Sequence, residues 1–476
     1  MDDLIIAGGI VVGPDGRGAA DVVIRGDRVI SVGDATGLPG RRIDAAGQLV
    51  MPGGVDSHCH IEQLSGAGLM NADTFETATR SALAGGTTTT VSFAAQHPGM
   101  NLAQVVAEYE ARAAAGAMGD YAFHMILSDT GGTTLSHDLP ALMDRGHRSV
   151  KIFTVYDKVR VEDVAILDIL QTVRGQGGLV CVHAENDGMI RWMTARLLAA
   201  GRTAPRHHAI AHPKLAEVEA VSRICLFAEF TGQPVMLFHI SCAEVLAVLR
   251  AARARGAPVM GETCPHYLFQ TVDVLEAPMA DAAGYLCSPP QRDAEDQAAL
   301  WSGLATGDLA AVTSDHAPYR LDASGKFAHG AEAPFSRIAN GLPGLQMRLP
   351  LMFDAMVSGG AGAGGRLGPE RFVDLTATMP ARTFGLTGKG RIAAGMEADI
   401  AIWNPGREVV LGDTLDGTGY NPWAGRRVTG WPETVLRRGE VVVQAGRVLA
   451  RPGSGRRVAM DKSPAMAPHP VRHGLD

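Results

Sequence analysis

Two histidines one residue apart, His58 and His60, are the first residues in this chain whose types and spacing suggest chemistry. On a β-strand, residues i and i+2 face the same side, so both imidazoles can be directed at one metal ion. The pair follows residues 52–56 (PGGVD), which complete a short apolar run. A short His-x-His pair is common by chance, so further ligands are needed to indicate a metal site.

Four further candidate ligands follow in chain order, each within or just after a short apolar run. They are Lys151, His183, His239 and Asp315. Imidazole nitrogen and carboxylate oxygen suit zinc or a similar divalent ion. Any one of these residues alone has an ordinary structural interpretation, but the ordered set at the ends of apolar runs predicts a metal site.

Lys151 is the unusual member of this set, because an ammonium group repels metal ions. Burial favours the neutral amine, and a neutral amine can add carbon dioxide to form a carbamate whose two oxygens can bridge two metals. An isolated lysine is usually exposed or in a salt bridge. The apolar context of residues 149–153 (SVKIF) favours the carbamate interpretation here.

Strand-like and helical patterns alternate through the middle of the chain. Strands are predicted at Leu49–Val55, Thr87–Phe93, Tyr121–Leu127, Ser149–Phe153, Leu179–His183, Pro234–His239, Pro258–Glu262 and Leu309–Thr313. Helices are predicted at Asn71–Ala84, Leu102–Ala115, Asp163–Arg174, Lys214–Thr231 and Ala243–Arg255. This alternation predicts an α/β protein with a TIM-like (β/α)₈ barrel, in which the carboxyl ends of the strands bring all six candidates to one mouth. An open doubly wound sheet is the rival, although no GxGxxG opens a helix after the first strand.

Both ends of the chain have a different texture, with short β-branched runs separated by glycine-rich turns. We therefore expect one small β-sandwich built from residues 1–51 and 388–450, with the catalytic barrel at 52–387. Residues 451–476 form a Gly/Pro-rich tail that is either disordered or packed on a neighbouring subunit.

Composition excludes several classes of function. The 476 residues are 46% hydrophobic, 20% charged and carry a formal net charge of −7, with no long basic run, which argues against nucleic acid as a partner. The acidic N-terminus predicts no signal peptide, and no uninterrupted apolar window predicts a membrane span. Six dispersed cysteines without CxxC predict free buried thiols in a reducing cytoplasm.

The remaining histidines receive no role in chemistry. A polar loop is predicted to carry His207, His208 and His212, and exposed positions are predicted for His97, His137, His147 and His329. His266 follows the seventh strand and either lines the mouth or packs within a turn.

These motifs resemble the cyclic amidase branch of the amidohydrolase superfamily, which includes dihydropyrimidinases, hydantoinases, allantoinases and dihydroorotases. The resemblance extends over almost the whole chain. It rests on residues 52–60 (PGGVDSHCH), 84–88 (AGGTT), 150–153 (VKIF), 182–185 (VHAE), 239–241 (HIS), 261–265 (GETCP), 288–290 (SPP), 314–318 (SDHAP) and 395–400 (GMEADI).

The resemblance implies a binuclear centre of two divalent ions, with zinc as the expected metal. His58, His60 and Asp315 would hold one ion, His183 and His239 the other, and carboxylated Lys151 would bridge them with a hydroxide. Asp315 would act as general base and then general acid. The family also implies a homotetramer or homodimer acting on a small-molecule substrate.

Three further positions match the substrate-binding residues of this branch. Tyr156 would stabilise the tetrahedral oxyanion, while Ser288 and Asn340 would bind the ureide ring. The implied reaction opens the cyclic amide of dihydropyrimidines or 5-substituted hydantoins to give N-carbamoyl amino acids.

The segment behind the histidine pair leaves the substrate open. Glu62 stands where dihydroorotases carry an arginine for the substrate carboxylate, and it would repel that group. Residues 61–66 (IEQLSG) also depart from the apolar gate of many hydantoinases. We assign the specificity gate to Gln63, Leu64 and Phe153, and keep an allantoinase or another cyclic ureide or imide hydrolase as the alternative. A more remote alternative is a non-catalytic scaffold relative that has lost its metal ligands.

Overall fold

Eight parallel strands form the central sheet of this protein, and they follow one another in chain order. The structure is a computed structural model that describes residues 3–66, 68–359 and 367–474. The strands are β8 (Gly54–Asp56), β9 (Thr87–Ala95), β10 (Asp120–Ile126), β11 (Ser149–Phe153), β12 (Leu179–His183), β13 (Val235–Leu237), β14 (Val259–Thr263) and β15 (Ala311–Val312). The predicted alternation of strands and helices therefore folds as a TIM-like barrel.

The barrel closes just beyond the ends of β8 and β15, among the predicted ligands. Cys59 and His316 form a parallel bridge, and the backbone N–H of His60 donates to the His316 carbonyl at 2.6 Å. Below them, Oδ1 of buried Asp56 accepts from the N–H of His58 at 3.3 Å and of Ser314 at 3.1 Å. The first and last strands are thus joined through the segments that carry His58, His60 and Asp315.

Helices cover the outside of the barrel and bury one face each. In the helix spanning Asp163–Gln176, the buried residues Ile166, Ile169, Leu170 and Val173 recur at the spacing of one helical face. The helices are α1 (Phe75–Ala84), α2 (Leu102–Gly116), α3 (Leu139–Asp144), α4 (Asp163–Gln176), α5 (Asp187–Ala199), α6 (Arg206–Ala211), α7 (Lys214–Thr231), α8 (Ala243–Ala254), α9 (Pro265–Phe269), α10 (Met279–Ala282), α11 (Ala294–Thr306), α12 (Arg348–Phe353), α13 (Gly368–Val373) and α14 (Met379–Thr383). Across the three described ranges, none of them is long and apolar enough to cross a membrane.

Two sheets built from both chain ends form the β-sandwich. One sheet has the order β5-β4-β1-β6 and the other the order β19-β18-β17-β16-β7-β2-β3. The strands are β1 (Leu4–Ala7), β2 (Ile10–Gly13), β3 (Gly16–Ala19), β4 (Asp21–Arg25), β5 (Arg28–Gly33), β6 (Arg41–Asp44), β7 (Leu49–Pro52), β16 (Ile400–Val410), β17 (Arg427–Arg437), β18 (Glu440–Gln444) and β19 (Arg447–Val448). The N- and C-terminal parts of the sandwich meet where β7 pairs antiparallel with β16. The similar pattern of β-branched runs and glycine-rich turns at the two chain ends predicted this.

The predicted first barrel strand, Leu49–Val55, is wrong as a single element. Its first half is β7 of the sandwich, and only Gly54–Asp56 enters the barrel. The chain crosses between the two sheets at Gly53, where a Cβ atom would lie 2.4 Å from Oγ1 of Thr88. One apolar run can thus contribute strands to two sheets, because both halves are buried. In the sequence, only the glycines indicate where the chain passes from one sheet to the other.

A buried ion cluster joins the barrel to the sandwich. The Lys389 ammonium is fully buried and lies 2.6 Å from Asp120 on β10, 2.7 Å from Glu397 and 2.7 Å from Asp399. These three carboxylates have the spacing of a metal-binding group, but the lysine already supplies their cation. The cluster is therefore a structural contact between the two parts of the chain.

The C-terminal segment 451–474 packs against the amino-terminal end of its own barrel rather than lying loose. The N–H of Val458 donates to the Tyr121 carbonyl at 2.7 Å, and the N–H of His469 donates to the Gly232 carbonyl at 2.8 Å. Contact with a neighbouring subunit stays a prediction.

Candidate active site

All six predicted ligands line one cavity of about 530 Å³ at the carboxyl end of the barrel. Lys151 lies within β11 and His183 ends β12. The other four are on the loops just beyond strand ends, His58 and His60 after β8, His239 after β13 and Asp315 after β15. The prediction that the histidine pair ends its strand is therefore off by a few residues, but both rings reach the mouth.

The first group of potential donors consists of His58, His60 and Asp315. Oδ1 of Asp315 lies 3.0 Å from Nε2 of His58 and 3.4 Å from Nε2 of His60. Burial opposes ionisation of Asp315, but the neighbouring histidines hold the pKa of its carboxyl well below the ordinary value. An ionised carboxylate between two imidazole nitrogens is a donor set that suits a divalent ion.

The second group consists of His183 and His239, whose Nδ1 and Nε2 atoms respectively are 2.9 Å apart. Burial lowers the pKa of both rings, that of His239 well below its ordinary value. Neutral imidazoles are the form that binds metal. Two ring nitrogens directed at each other inside the cavity therefore also suit an ion.

Lys151 lies at the base of the same cavity with its amine fully buried. Nζ has no hydrogen-bond partner among the described residues, and it lies 4.2 Å from the ring centroid of Phe238 and 4.9 Å from that of Phe153. Burial lowers its pKa to about 8. An unpartnered amine that readily becomes neutral fits the requirements for carbamate formation.

The rings of three candidate ligands are held at their other nitrogen by side chains for which the sequence predicted no such role. Nδ1 of His58 lies 2.6 Å from Oε1 of Glu262, and Nε2 of His183 lies 2.7 Å from Oε2 of Glu185. Nδ1 of His60 lies 2.7 Å from Oε1 of Gln63. Such contacts fix the ring orientation and the nitrogen left free for a metal. The only sequence signal was the position of the acids, Glu185 two residues after a ligand and Glu262 near the end of β14.

Glu185 connects this site to residues that were predicted to have no role. It is fully buried, and its carboxylate also accepts from Nδ1 of His212 at 2.9 Å and from the hydroxyl of Ser288 at 2.5 Å. The polar-loop prediction for His207, His208 and His212 is wrong, because His207 and His208 lie in α6 and all three are buried, His208 and His212 beside this network. His147, predicted to be exposed, is buried as well and lies 3.0 Å from Glu110.

Tyr156, Ser288 and Asn340 line the same cavity as the ligands. Burial raises the pKa of Tyr156, while hydrogen bonds with Ser288 and Asn340 act in the opposite direction. The phenol is therefore protonated and able to donate. Oδ1 of Asn340 is buried without a partner in the described part of the chain, so it is free to accept from a ligand.

Three of the predicted site residues adopt a left-handed backbone, which non-glycine residues rarely do. The φ angles are +75° at Tyr156, +43° at His239 and +45° at Asp315. Such conformations cost about 1–3 kcal/mol each and persist where the surrounding structure enforces them. Here they follow strands β11, β13 and β15 and turn the side chains back over the mouth.

The gate residues Gln63, Leu64 and Phe153 line the cavity. A backbone bridge between Leu64 and Met70 folds the segment behind the histidine pair into a tight loop. Glu62 does not line the cavity, and instead its carboxylate accepts from the N–H of Phe75 at the start of α1. The predicted repulsion of a substrate carboxylate by Glu62 therefore has no structural basis.

Two further histidines lie in the lining of the cavity. His97 and His329, predicted simply as exposed, both lie in its lining. His266 does not belong to the lining and is buried with its ring 4.1 Å from that of Tyr267. It therefore packs beside the seventh strand, which was one of the two interpretations.

Comparison with known proteins agrees with this architecture. Residues 49–442 match the model of the amidohydrolase family, and the chain belongs to this family, within its cyclic amidase branch. A D-hydantoinase of Streptomyces coelicolor is 41% identical over 462 residues, which cover 95% of this chain and 96% of the relative. A D-phenylhydantoinase of Escherichia coli is 35% identical over 460 residues, covering 95% and 97%.

Solved structures of related proteins superpose over nearly the whole chain. A dihydropyrimidinase from Brevibacillus agri matches with a TM-score of 0.92 at 34% identity, covering 97% of this chain and 99% of that one. An L-hydantoinase from Arthrobacter aurescens matches with a TM-score of 0.86 at 28% identity, covering 96% and 100%. The barrel and the sandwich are thus shared with hydrolases of cyclic amides.

Proposed function

We propose that this protein opens the cyclic amide bond of dihydropyrimidines or 5-substituted hydantoins, giving N-carbamoyl amino acids. The observation that carries the proposal is the cavity in which five potential ligands lie around a sixth, the buried and unpartnered Lys151 amine. Relatives named D-hydantoinase over 95% of the chain support the same reaction.

The proposed centre holds two divalent ions, with zinc as the expected metal. His58, His60 and Asp315 would hold one ion and His183 and His239 the other, with Lys151 carboxylated between them. Such a pair would supply a bound water of lowered pKa and a Lewis acid for an amide carbonyl. The family and the two groups of donors support this assignment.

Asp315 is the residue proposed to move the proton. Its carboxylate is ionised and lies among the ligands, so it can accept a proton from the attacking water and deliver it to the leaving nitrogen. Protonation of that nitrogen matters because an amide anion is a poor leaving group.

Tyr156, Ser288 and Asn340 are proposed to bind and orient the substrate. The protonated phenol of Tyr156 would donate to the oxygen on which charge develops. Ser288 and Asn340 line the same cavity and would offer polar groups to a ureide ring. The gate of Gln63, Leu64 and Phe153 would accommodate the ring substituent. An allantoinase or cyclic imide hydrolase is the second candidate, because the gate loop is more polar than an apolar hydantoinase gate.

A combined metal and substrate experiment tests the proposal. Purified protein is analysed for bound metal and assayed with dihydrouracil, 5-substituted hydantoins, allantoin, dihydroorotate and cyclic imides. We expect about two zinc-like ions per chain and the highest kcat/KM with a dihydropyrimidine or hydantoin. Preference for allantoin or dihydroorotate would move the protein to another branch. Metal-free protein without activity on any of the compounds would favour the scaffold alternative.

Lys151→Ala tests the bridging role directly. The variant should lose bound metal and activity and regain part of both with added short carboxylic acids. Lys326→Met is the matched control, because Lys326 is also fully buried with a pKa lowered to about 7 by burial, but it lies outside the cavity lining. The control should keep its metal and show no response to carboxylic acids. Full metal content in Lys151→Ala would exclude the bridging role.

We also propose a homotetrameric or homodimeric assembly in a reducing cytoplasm. The six cysteines are all free and buried, which is compatible with a reducing compartment. Light scattering of the purified protein tests the assembly, and a monomer at working concentration would refute it.

A further inference from the structure

The hydrogen bond between Gln63 and His60 connects the gate loop to a proposed metal ligand. Oε1 of Gln63 lies 2.7 Å from Nδ1 of His60, while Nε2 of the same ring faces Asp315 at 3.4 Å. An amide oxygen can only accept, so Nδ1 must carry the hydrogen. The lone pair of the ring is then on Nε2, the nitrogen that faces the other donors.

The position of Gln63 is fixed by a second residue of the loop, Asn71. Its side-chain amide donates to the His60 carbonyl at 2.8 Å and its Oδ1 accepts from the N–H of Gln63 at 3.0 Å. The N–H of Asn71 in turn donates to the Gln63 carbonyl at 3.0 Å. Asn71 is 6% exposed. The turn from His60 to Gln63 is thus held at three points, and the amide of Gln63 is directed at the ring by the backbone around it.

In the two other proposed ligand rings whose second nitrogen has a hydrogen-bond partner, that partner is a carboxylate. Glu262 holds His58 and Glu185 holds His183, both with fully buried carboxylates. Gln63 is partly exposed and neutral, and it is the only one of these partners that belongs to the loop over the substrate cavity. Its carbonyl oxygen is occupied by His60, which leaves the amide NH₂ as the group that can meet a substrate.

We propose that Gln63 is a positioning residue for His60, in addition to lining the gate. It holds the imidazole with Nε2 directed at the ion of the His58, His60 and Asp315 group, so that the shape of the gate loop and the affinity for this ion depend on each other. A substituent that displaces the loop would therefore also loosen one of the two ions. This inference rests on the proposed metal centre but not on the identity of the substrate.

Zinc binding to the apoprotein tests the proposal without measuring catalysis. Zinc is titrated against a chromophoric chelator in wild type, Gln63→Met, Gln63→Glu and Met70→Ala. Gln63→Met keeps the length of the side chain and removes the acceptor, whereas Gln63→Glu keeps the acceptor. Met70 is 47% exposed on the same loop and lies outside the cavity lining, so Met70→Ala is the matched control.

We expect Gln63→Met to weaken one of the two zinc ions by about 10- to 100-fold, the usual effect of losing a hydrogen-bond partner of a ligand histidine. The other zinc ion of Gln63→Met should bind within about threefold of its wild-type affinity. Both ions should do the same in Gln63→Glu and in Met70→Ala, a margin well below the effect of losing the hydrogen-bond partner. An unchanged titration in Gln63→Met, an equal loss of both ions, or a loss that Gln63→Glu does not restore would each overturn the proposal.

Thermal unfolding of the apoproteins separates a folding defect from a metal effect. The Tm of Gln63→Met without zinc should equal that of Met70→Ala. If it is lower, the same titration is made with Gln63→Leu, which also lacks an acceptor and is smaller. Wild-type affinity in that variant would overturn the proposal, and selective loss of one ion would support it.

Discussion

Replacing Glu185 by Gln should weaken one metal ion and substrate binding together, because this carboxylate serves both. It accepts from His183 at 2.7 Å, from His212 at 2.9 Å and from Ser288 at 2.5 Å, and it is fully buried. Burial opposes ionisation, but His212 and His183 hold the pKa of Glu185 well below its ordinary value. The group is therefore an anion that satisfies three donors.

The size of the expected loss in metal affinity follows from the number of hydrogen-bond donors that Glu185 satisfies. A glutamine offers one oxygen in place of two and carries an NH₂ that cannot accept. At least one donor loses its partner, and the remaining hydrogen bonds lose the charge that roughly doubles their strength. Loss of a partner of a ligand histidine typically costs about 10- to 100-fold in metal affinity, or about 1.4–2.8 kcal/mol. We expect this loss at the ion proposed to be held by His183 and His239.

Two measurements distinguish the selective effect expected of Glu185→Gln from a general disturbance of the site. Zinc titration of the apoprotein should show one weakened ion, and KM at saturating zinc should rise because Ser288 is no longer held. Ser288→Ala is the matched variant, since it removes one hydrogen bond to Glu185 and leaves His183 in place. It should raise KM with unchanged zinc affinity. Wild-type zinc affinity in Glu185→Gln would refute the role of the carboxylate.

Three further outcomes are expected. Tyr156→Phe should lower kcat by about 10²- to 10³-fold with little change in zinc content, as expected for an oxyanion donor, and an unchanged kcat would remove Tyr156 from the reaction. Lys389→Met leaves three carboxylates without their shared cation and should cost about 3–5 kcal/mol of stability, read as a lower Tm, while adding Asp399→Asn should recover part of it. Burial lowers the pKa of His208 to about 3 from 6.5, so the unfolded state takes up its proton first and stability falls as the pH drops below about 6.5, at up to about 1.4 kcal/mol per pH unit. His208→Gln should flatten this decline in acid unfolding, and a slope identical to that of the wild type would contradict the assignment.

Much of the barrel could be predicted because its elements have strong local patterns. The predicted and observed limits agree for β11, β12 and α7. The predicted and observed limits differ where tertiary contacts, rather than the local sequence pattern, decide which sheet a segment joins. The run Leu49–Val55 is apolar throughout because both its halves are buried, and only the contacts of β7 with β16 assign its first half to the sandwich.

The candidate ligands could be predicted because they carry chemistry in their own residue types. Their orienting groups could not, because those relations exist only in the folded chain. His58 and Glu262 are 204 positions apart and meet across the barrel. His212 looked like a loop residue because its neighbours are polar or small, yet the fold buries it against Glu185.

The proposed gate and the proposed ligands differ in what fixes their positions in the fold. The ligands are fixed by strand ends and by the closure of the barrel at Asp56, so their convergence follows from the fold. The turn from His60 to Gln63 depends instead on side-chain hydrogen bonds of Gln63 and Asn71 that no periodic pattern encodes. Gln63 belongs to both groups of residues, since its amide oxygen holds the ring of the proposed ligand His60 and the residue also lines the cavity. Substitutions that change ring-substituent preference at this position should therefore also change metal affinity, while those at Leu64 should change preference alone.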